Sequence, residues 1–464
     1  MVIIFPLIYL ASFLMALTGV LKGRKSDAWL FMIFGLPVYI TALIVTFDNA
    51  PRFMVTVFQS FKELIILALL TMQVITLRRR LKLHFIDYAV LAFFCYTFLY
   101  VLLPVGEQGF AGRLLAFKSF SFFPLIYFSG RLLDLRRIYV SKYFHFVVYV
   151  AIAAALVALF ELITSQHFQT RIGFADFYYY IYNFEPTGSY GLSFTFETDT
   201  GLRRFAGFYA NPLEHAAATI LALAVILSLH TTDENRIKLN GLGLTAFVAT
   251  LISIFLALSR SSFLSYFLTI YYYALLTRKK QLLNFIHFMG VLVVLYFLFL
   301  LNNKDVREFI ITTITFTNSS SVGHIIEWVE GINAIVNNPM GLGIGSSGGA
   351  AGGDNIGGEN QLIIIGVQTG VISMLIYAVA YVAIVRKGWK LFPVLKGKEK
   401  RICLAVVLLK LGFIIPLMTS ELESSAYIAY MTWFLSGILG SIISRHSQEK
   451  KGEDNPALAL APNP

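Results

Sequence analysis

Residues 203–229, RRFAGFYANPLEHAAATILALAVILSL, carry two adjacent arginines directly into a long apolar run. A run of about 20 apolar residues crosses a bilayer core as a helix. Pro212 suits the first turn of such a helix, where its missing N–H costs nothing. Arg203 and Arg204 therefore stand at the mouth of a membrane helix. Their meaning depends on which side of the membrane that mouth faces, and the rest of the chain supplies the answer.

The chain has 464 residues, 57% hydrophobic and 14% charged, with 42 Phe and 24 Tyr. A soluble domain carries about 25% charged residues, so the composition excludes an ordinary globular protein. Apolar runs of spanning length recur throughout, which reads as an all-α polytopic membrane bundle. A formal charge of +11 would suggest nucleic acid in a soluble chain. In a membrane chain it marks cytoplasmic loops instead, and no nucleic-acid partner is expected. Cys95 and Cys403, the two cysteines, sit inside apolar runs, so neither a disulfide framework nor a cysteine metal site is indicated. The first run lacks a basic segment before it and is followed by KGRK, which reads as a retained helix rather than a cleaved signal. The Pro/Ala-rich tail GEDNPALALAPNP is expected to lack fixed structure.

Apolar runs separated by polar breaks predict about 12–14 spans, with thirteen runs near 2–21, 28–47, 54–76, 84–105, 114–131, 143–165, 212–230, 240–258, 262–277, 284–302, 360–385, 402–420 and 425–444. Alternate loops hold 26 of the 37 lysines and arginines, which fits one orientation, with the C-terminus cytoplasmic and the N-terminus outside. The organisation predicted is an N-terminal helical region at 1–165, a long outer loop at 166–211, central helices at 212–302, a second long outer loop at 303–359, C-terminal helices at 360–444 and a cytoplasmic tail at 445–464. Long loops on a compact bundle usually carry function. The first holds the aromatic run FADFYYYIYNF. The second holds an amphipathic stretch, HIIEWVEGINAIV, and a glycine-rich run.

Eleven basic residues break the loop pattern: Arg52, Lys62, Arg113, Lys118, Arg171, Arg203, Arg204, Arg260, Lys304, Arg307 and Lys410. Lys304 and Arg307 stand beside Asp305 and Glu308 and read as a solvated loop. Arg260 lies in the very short outer break ALSRSSFLSYF, where a guanidinium must sit at the membrane boundary. Together with Arg203 and Arg204 it suits an anion with several oxygens, because guanidinium forks match phosphate oxygens in pairs. In a membrane the available anions are lipid phosphates and lipid-linked diphosphates. Lys62, Glu63, Lys118 and Lys410 lie within spans and read as structural ion pairs. Neighbours in a helix do not face each other, so Lys62 and Glu63 are expected to find different partners.

The glycine run at 337–361 fails as a nucleotide site, since it lacks the Gly-Lys-Ser/Thr of a P-loop and a preceding strand. It ends in Asp354, Asn355, Glu359, Asn360 and Gln361, which bring carboxylates to the arginine face. His324 and His215 add two further candidate bases. No histidine pair has metal-ligand spacing, so neither a metal nor another cofactor is expected.

Three patterns now acquire an order: RFAGFYANPLEHA before a helix, LSRSS at an outer junction, and HIIEWVEGINAIVNNPMGLGIGSSG followed by ENQLIIIGVQTGVISML. Over about 203–375 their order and sidedness resemble the O-antigen polymerase and O-antigen ligase family of bacterial membrane glycosyltransferases. The resemblance implies a donor glycan on undecaprenyl diphosphate, a site on the periplasmic face of the inner membrane, and a chain-length regulator as a candidate partner. It implies attack by an acceptor sugar hydroxyl on the donor anomeric carbon, with Arg203, Arg204 and Arg260 holding the leaving diphosphate. The base would be Glu359, with His324 and His215 behind it. Two departures bear on the branch. His324 stands where the family often has arginine, and Glu359-Asn360 replaces the His-Asn of the ligases, which favours the polymerase. The alternatives are a ligase acting on lipid A–core and a transporter of an anionic lipid-linked glycan. An acyltransferase would need a Ser-His or His-Asp arrangement that the chain does not offer.

Overall fold

The computed structural model describes residues 2–77, 81–198, 200–300, 307, 319–348 and 356–454. Lys304, Asp305, Glu308, Asp354 and Asn355 lie outside the described residues, as do 78–80 of the second basic loop and the tail beyond 454. Among the described residues the chain is all-α, with two isolated bridges, Glu197 to Arg203 and Thr231 to Ile237, in place of any sheet.

Ten helices among the described residues are long and apolar enough to cross a membrane. They are α1 (Ile4–Leu21), α2 (Lys25–Asn49), α3 (Phe53–Ile75), α4 (Phe85–Leu102), α7 (Val140–Thr164), α9 (Pro212–Leu229), α12 (Lys280–Leu300), α14 (Gln361–Val394), α15 (Gly397–Thr419) and α16 (Ala426–Gln448). Between them come the shorter α5 (Phe110–Phe120), α6 (Phe123–Arg131), α8 (Phe174–Tyr182), α10 (Gly241–Ala257), α11 (Arg260–Leu276) and α13 (Ser319–Asn337). The expected single span over 114–131 is instead broken into α5 and α6. Pro124 explains the break: in a continuous helix its ring would strike the carbonyl of Phe120, where α5 ends. Neither half reaches across a bilayer alone, and α10 and α11 have 17 residues each.

At the centre stands α9, in which every residue except Leu213 is buried. Its run of Ala216, Ala217, Ala218, Ala222 and Ala224 lets neighbouring helices come close, the usual way helices associate where lipid removes the hydrophobic drive. It packs against α7, α10, α11 and α15. The same device joins α6 to α16. Gly130 faces the backbone of Phe434, and Gly437 faces the carbonyl of Tyr127, with no room for a side chain at either position. The apolar α12 is the opposite case, with no buried residue.

Loops gather at two ends. At one, Arg131 pairs with Asp87 at 3.1 Å, Lys398 donates to the Arg136 carbonyl at 3.0 Å, the Gly397 N–H donates to Asp233 at 2.7 Å and Arg445 pairs with Glu399 at 2.9 Å. At the other, the Phe205 N–H donates to the Leu256 carbonyl at 3.0 Å, Ser425 donates to Glu214 at 2.8 Å and the Glu423 N–H donates to Gln361 at 3.2 Å. The described parts of the basic loops occupy the first end, and those of the two long loops lie at the second.

Candidate functional site

The loop 205–211 at the second end is held by several buried side chains. Glu161, buried at the end of α7, accepts the N–H of Phe168 at 2.8 Å with one oxygen and that of Gly207 at 2.7 Å with the other. Gln169 donates to the carbonyls of Gly207 and Tyr209 at 3.0 and 2.9 Å, and Thr41 donates to that of Phe208 at 2.7 Å. Gly207 holds φ +60, which its lack of a Cβ permits. Asn211 then caps α9 by accepting the Glu214 N–H at 2.8 Å. Buried backbone donors must be paired, and here side chains do it. Glu161 was not among the candidates read from the sequence. Its signal is a lone carboxylate in the apolar run VALFELIT.

The two arginines differ. Arg203 donates to the Ser165 carbonyl and lies 4.6 Å above the Tyr190 ring. With Glu197 it surrounds His167, whose ring nitrogens are buried without partners and whose pKa burial pushes down to about 4, with Arg203 acting in the same direction. Arg203 thus belongs to the packing of the loop. Arg204 is half-buried, and its N–H donates to the Phe196 carbonyl at 2.8 Å. The adjacent Phe205–Leu256 bond lays this stretch against the end of α10, four residues before Arg260. His215 is buried in α9, hydrogen-bonded through Nδ1 to the Phe205 carbonyl at 2.9 Å and stacked on Tyr209. These partners make it a brace of the loop.

His324 and Glu359 meet at 2.7 Å. The reason lies in α13, where residues 324, 327, 328, 331 and 335 fall on one face at helical spacing. Gly331 packs against Gly357, and Ile335 joins Ile363 and Val367 in a small apolar cluster, so that face is pressed onto the start of α14. Asn360 caps α14 by accepting the N–H groups of Leu362 and Ile363 at 3.0 and 3.2 Å, which fixes Glu359 just outside the helix N-terminus. The hydrogen bond to Glu359 raises the His324 pKa, with Glu327 helping, against burial and the nearby Arg260 guanidinium. Glu327 is itself raised, first by burial and then by Glu359.

His324, Glu327 and Glu359 present ligand atoms within 4.8 Å of one another, so the fold assembles a three-ligand group that the sequence spacing did not announce. These residues can hold a divalent cation. The guanidinium that already opposes positive charge on His324 works against one. The same geometry serves an ionised carboxylate oriented by a histidine, with a guanidinium beside both.

The glycine run is not a nucleotide loop. Gly341, Gly343, Gly345 and Gly348 all take positive φ, and the run lies on α14 where that helix is interrupted at Thr369 and Gly370. The N–H groups of Leu342 and Gly343 donate to the carbonyls of Val367 and Gln368 at 2.7 and 3.0 Å, and Val371 donates to Pro339 at 3.0 Å. The loop thereby satisfies the backbone that the break exposes, a condition for irregular structure at membrane depth.

The charges inside the spans form ion pairs, as expected, but Lys62 and Glu63 do not find different partners. Lys62 pairs with its own neighbour Glu63 at 2.9 Å, and Lys118 reaches the same carboxylate oxygen at 3.2 Å. Adjacent residues point apart along a helix, but the long lysine stem bends round into the polar space that Glu63 faces. Lys410 is fully buried, 3.7 Å from the Trp433 ring centre and 4.3 Å from that of Tyr381, with Glu423 as its electrostatic partner. Arg52 and Arg171 lie over aromatic rings at 5.5 and 5.1 Å, and Arg113 donates to the Leu103 carbonyl.

Comparison with known proteins gave no matching family model and no matching curated relative.

Proposed function

We propose that this chain is a membrane glycosyltransferase that polymerises oligosaccharide repeats carried on a polyprenyl diphosphate, undecaprenyl diphosphate in a bacterial inner membrane, with its site on the periplasmic side. The observation that carries the reading is the 2.7 Å contact of His324 with Glu359, with Arg260 acting on the same histidine. The acceptor hydroxyl oxygen attacks the anomeric carbon of the donor, and the bond from that carbon to the diphosphate breaks. Glu359 takes the hydroxyl proton, held in place by His324 and the Asn360 cap. Arg260, with Arg204 from the adjoining loop, neutralises the charge that gathers on the leaving diphosphate, a role guanidinium groups fill without a metal.

The test is elongation of a synthetic lipid-diphosphate oligosaccharide by purified protein, without nucleotide sugar and after chelation. Glu359→Gln is expected to slow transfer by about 10²–10⁴-fold, the usual worth of a general base. Arg260→Ala is expected to cost about 10²–10³-fold, comparable to one oxyanion donor. Full activity in Arg204→Ala and Arg260→Ala proteins that fold normally would remove the diphosphate site. Activity lost on chelation and restored by a divalent cation would make the cluster a metal centre. Transfer to lipid A–core instead of another glycan would make the protein a ligase.

A transporter of the same amphiphile is the second reading, favoured by the interruption of α14, since discontinuous helices line transport sites. Movement of unpolymerised substrate across sealed vesicles would decide for it.

A further inference from the structure

A cavity of about 270 Å³ opens between α2, α3, α5, α14 and the junction before α16. It reaches Lys62, nine residues into α3 and thus about 13 Å along the helix at 1.5 Å per residue. Polar space at that depth is costly unless something polar fills it. The cavity lies below the range of about 300–1,000 Å³ typical of drug-sized ligands, so it suits one small ring rather than an extended chain.

Three features of the wall define the occupant. Charge comes first: Lys62 and Lys118 share the wall with Glu63, Glu421 and Glu423, and both lysines already pair with Glu63. With no surplus of positive charge, the space does not suit a diphosphate. Next, donors and acceptors are mixed. Gln361 and Gln368 stand among the charged groups, and Glu63 Oε2 is buried without a hydrogen-bond partner. A hydroxyl both donates and accepts, which matches such a wall. Finally, ring faces are present, including Tyr182 from the aromatic run of the first long loop. A pyranose offers an apolar C–H face to rings of this kind.

The position ties the cavity to the cluster above. Gln361 follows Glu359 by two residues. Gln368 accepts the Gly345 N–H at 2.9 Å and donates to the Ser347 carbonyl at 3.0 Å, so the glycine loop holds this wall residue of the cavity in place. We propose that this cavity holds one hydroxyl-rich sugar ring of the lipid-linked glycan, presenting it to Glu359. The inference rests on the glycosyltransferase reading for the identity of the glycan.

Lysine reactivity tests it on the full chain in nanodiscs. Lys118, 43% exposed, is accessible to an amine-reactive reagent, and Lys280 at the basic end serves as the control. The probes are the lipid-linked oligosaccharide extracted from producing cells, the saccharide freed from it by mild acid, and undecaprenyl diphosphate alone. Both glycan probes are expected to slow acylation of Lys118 several-fold, leaving Lys280 unchanged, and Glu421→Gln is expected to weaken that protection. Unchanged Lys118 reactivity with both glycan probes, or protection by undecaprenyl diphosphate alone, overturns the proposal. Elongation without protection removes the sugar cavity and leaves the enzyme. Protection without elongation keeps the cavity and removes the polymerase.

Discussion

At the scale of residues, the candidate chemistry turns on His324 and Glu359, 35 positions apart in sequence and 2.7 Å apart in space. The folded pKa of His324 stands above the ordinary histidine value of about 6.5. The ion pair is therefore complete below that value and is lost as pH rises through the raised pKa. The charged groups that set this window are Glu359 and Glu327 on one side and Arg260 on the other. Transfer is expected to fall along the alkaline limb with this titration, and a pH–rate profile of His324→Asn should lack the limb. A profile unchanged in shape would leave His324 without a part in the protonation of the site. Glu161 makes a separate prediction about stability. Its replacement by alanine orphans the N–H groups of Phe168 and Gly207, at about 1–3 kcal/mol each. A thermal melt should show a clear loss for Glu161→Ala and a smaller one for Glu161→Gln, whose amide oxygen still accepts one bond.

Elements explain why those residues meet. The interruption of α14 gives the glycine loop a backbone to bond, and the loop in turn holds Gln368. Gly370 takes φ +82 and ψ 176, a region that only glycine enters without strain, and its missing side chain faces the Pro339 carbonyl. Gly370→Ala is expected to destabilise the protein by about 1–3 kcal/mol and to loosen the loop. Hydrogen exchange confined to 339–348 would record it, and unchanged protection there would count against the coupling of loop and helix. The contact of α6 with α16 depends on Gly130 and Gly437 in the same steric way. Gly437→Leu should force the two helices apart and abolish the folded protein in detergent, whereas Val293→Leu on the exposed α12 should leave the melting temperature unchanged.

For the whole molecule, the separation of loops into a basic end and an opposite end is what the proposed side of the site rests on. Single cysteines at Arg236 and at Tyr190, in a chain with Cys95 and Cys403 replaced, are expected to react with a membrane-impermeant thiol reagent from opposite sides of sealed cells. Labelling of both from one side would undo the orientation. The amino-acid sequence alone determined the all-helical membrane class and the alternation of loops, because hydrophobic length and lysine placement are local properties that the bilayer reads directly. It also drew attention to Arg203, Arg204, Arg260, His215, His324 and Glu359, since a charge at a membrane boundary is conspicuous wherever the chain later goes, and of these the fold turned Arg203 and His215 to the packing of the loop. What only the tertiary structure decided is who meets whom. The split at Pro124, the pairing of Lys62 with Glu63, the brace formed by Glu161 and the closure of His324 onto Glu359 all depend on helices packed side by side. Sequence periodicity specifies which face of a helix is apolar. It carries no term for the neighbour that face will find, and buried polar groups take their roles from that neighbour.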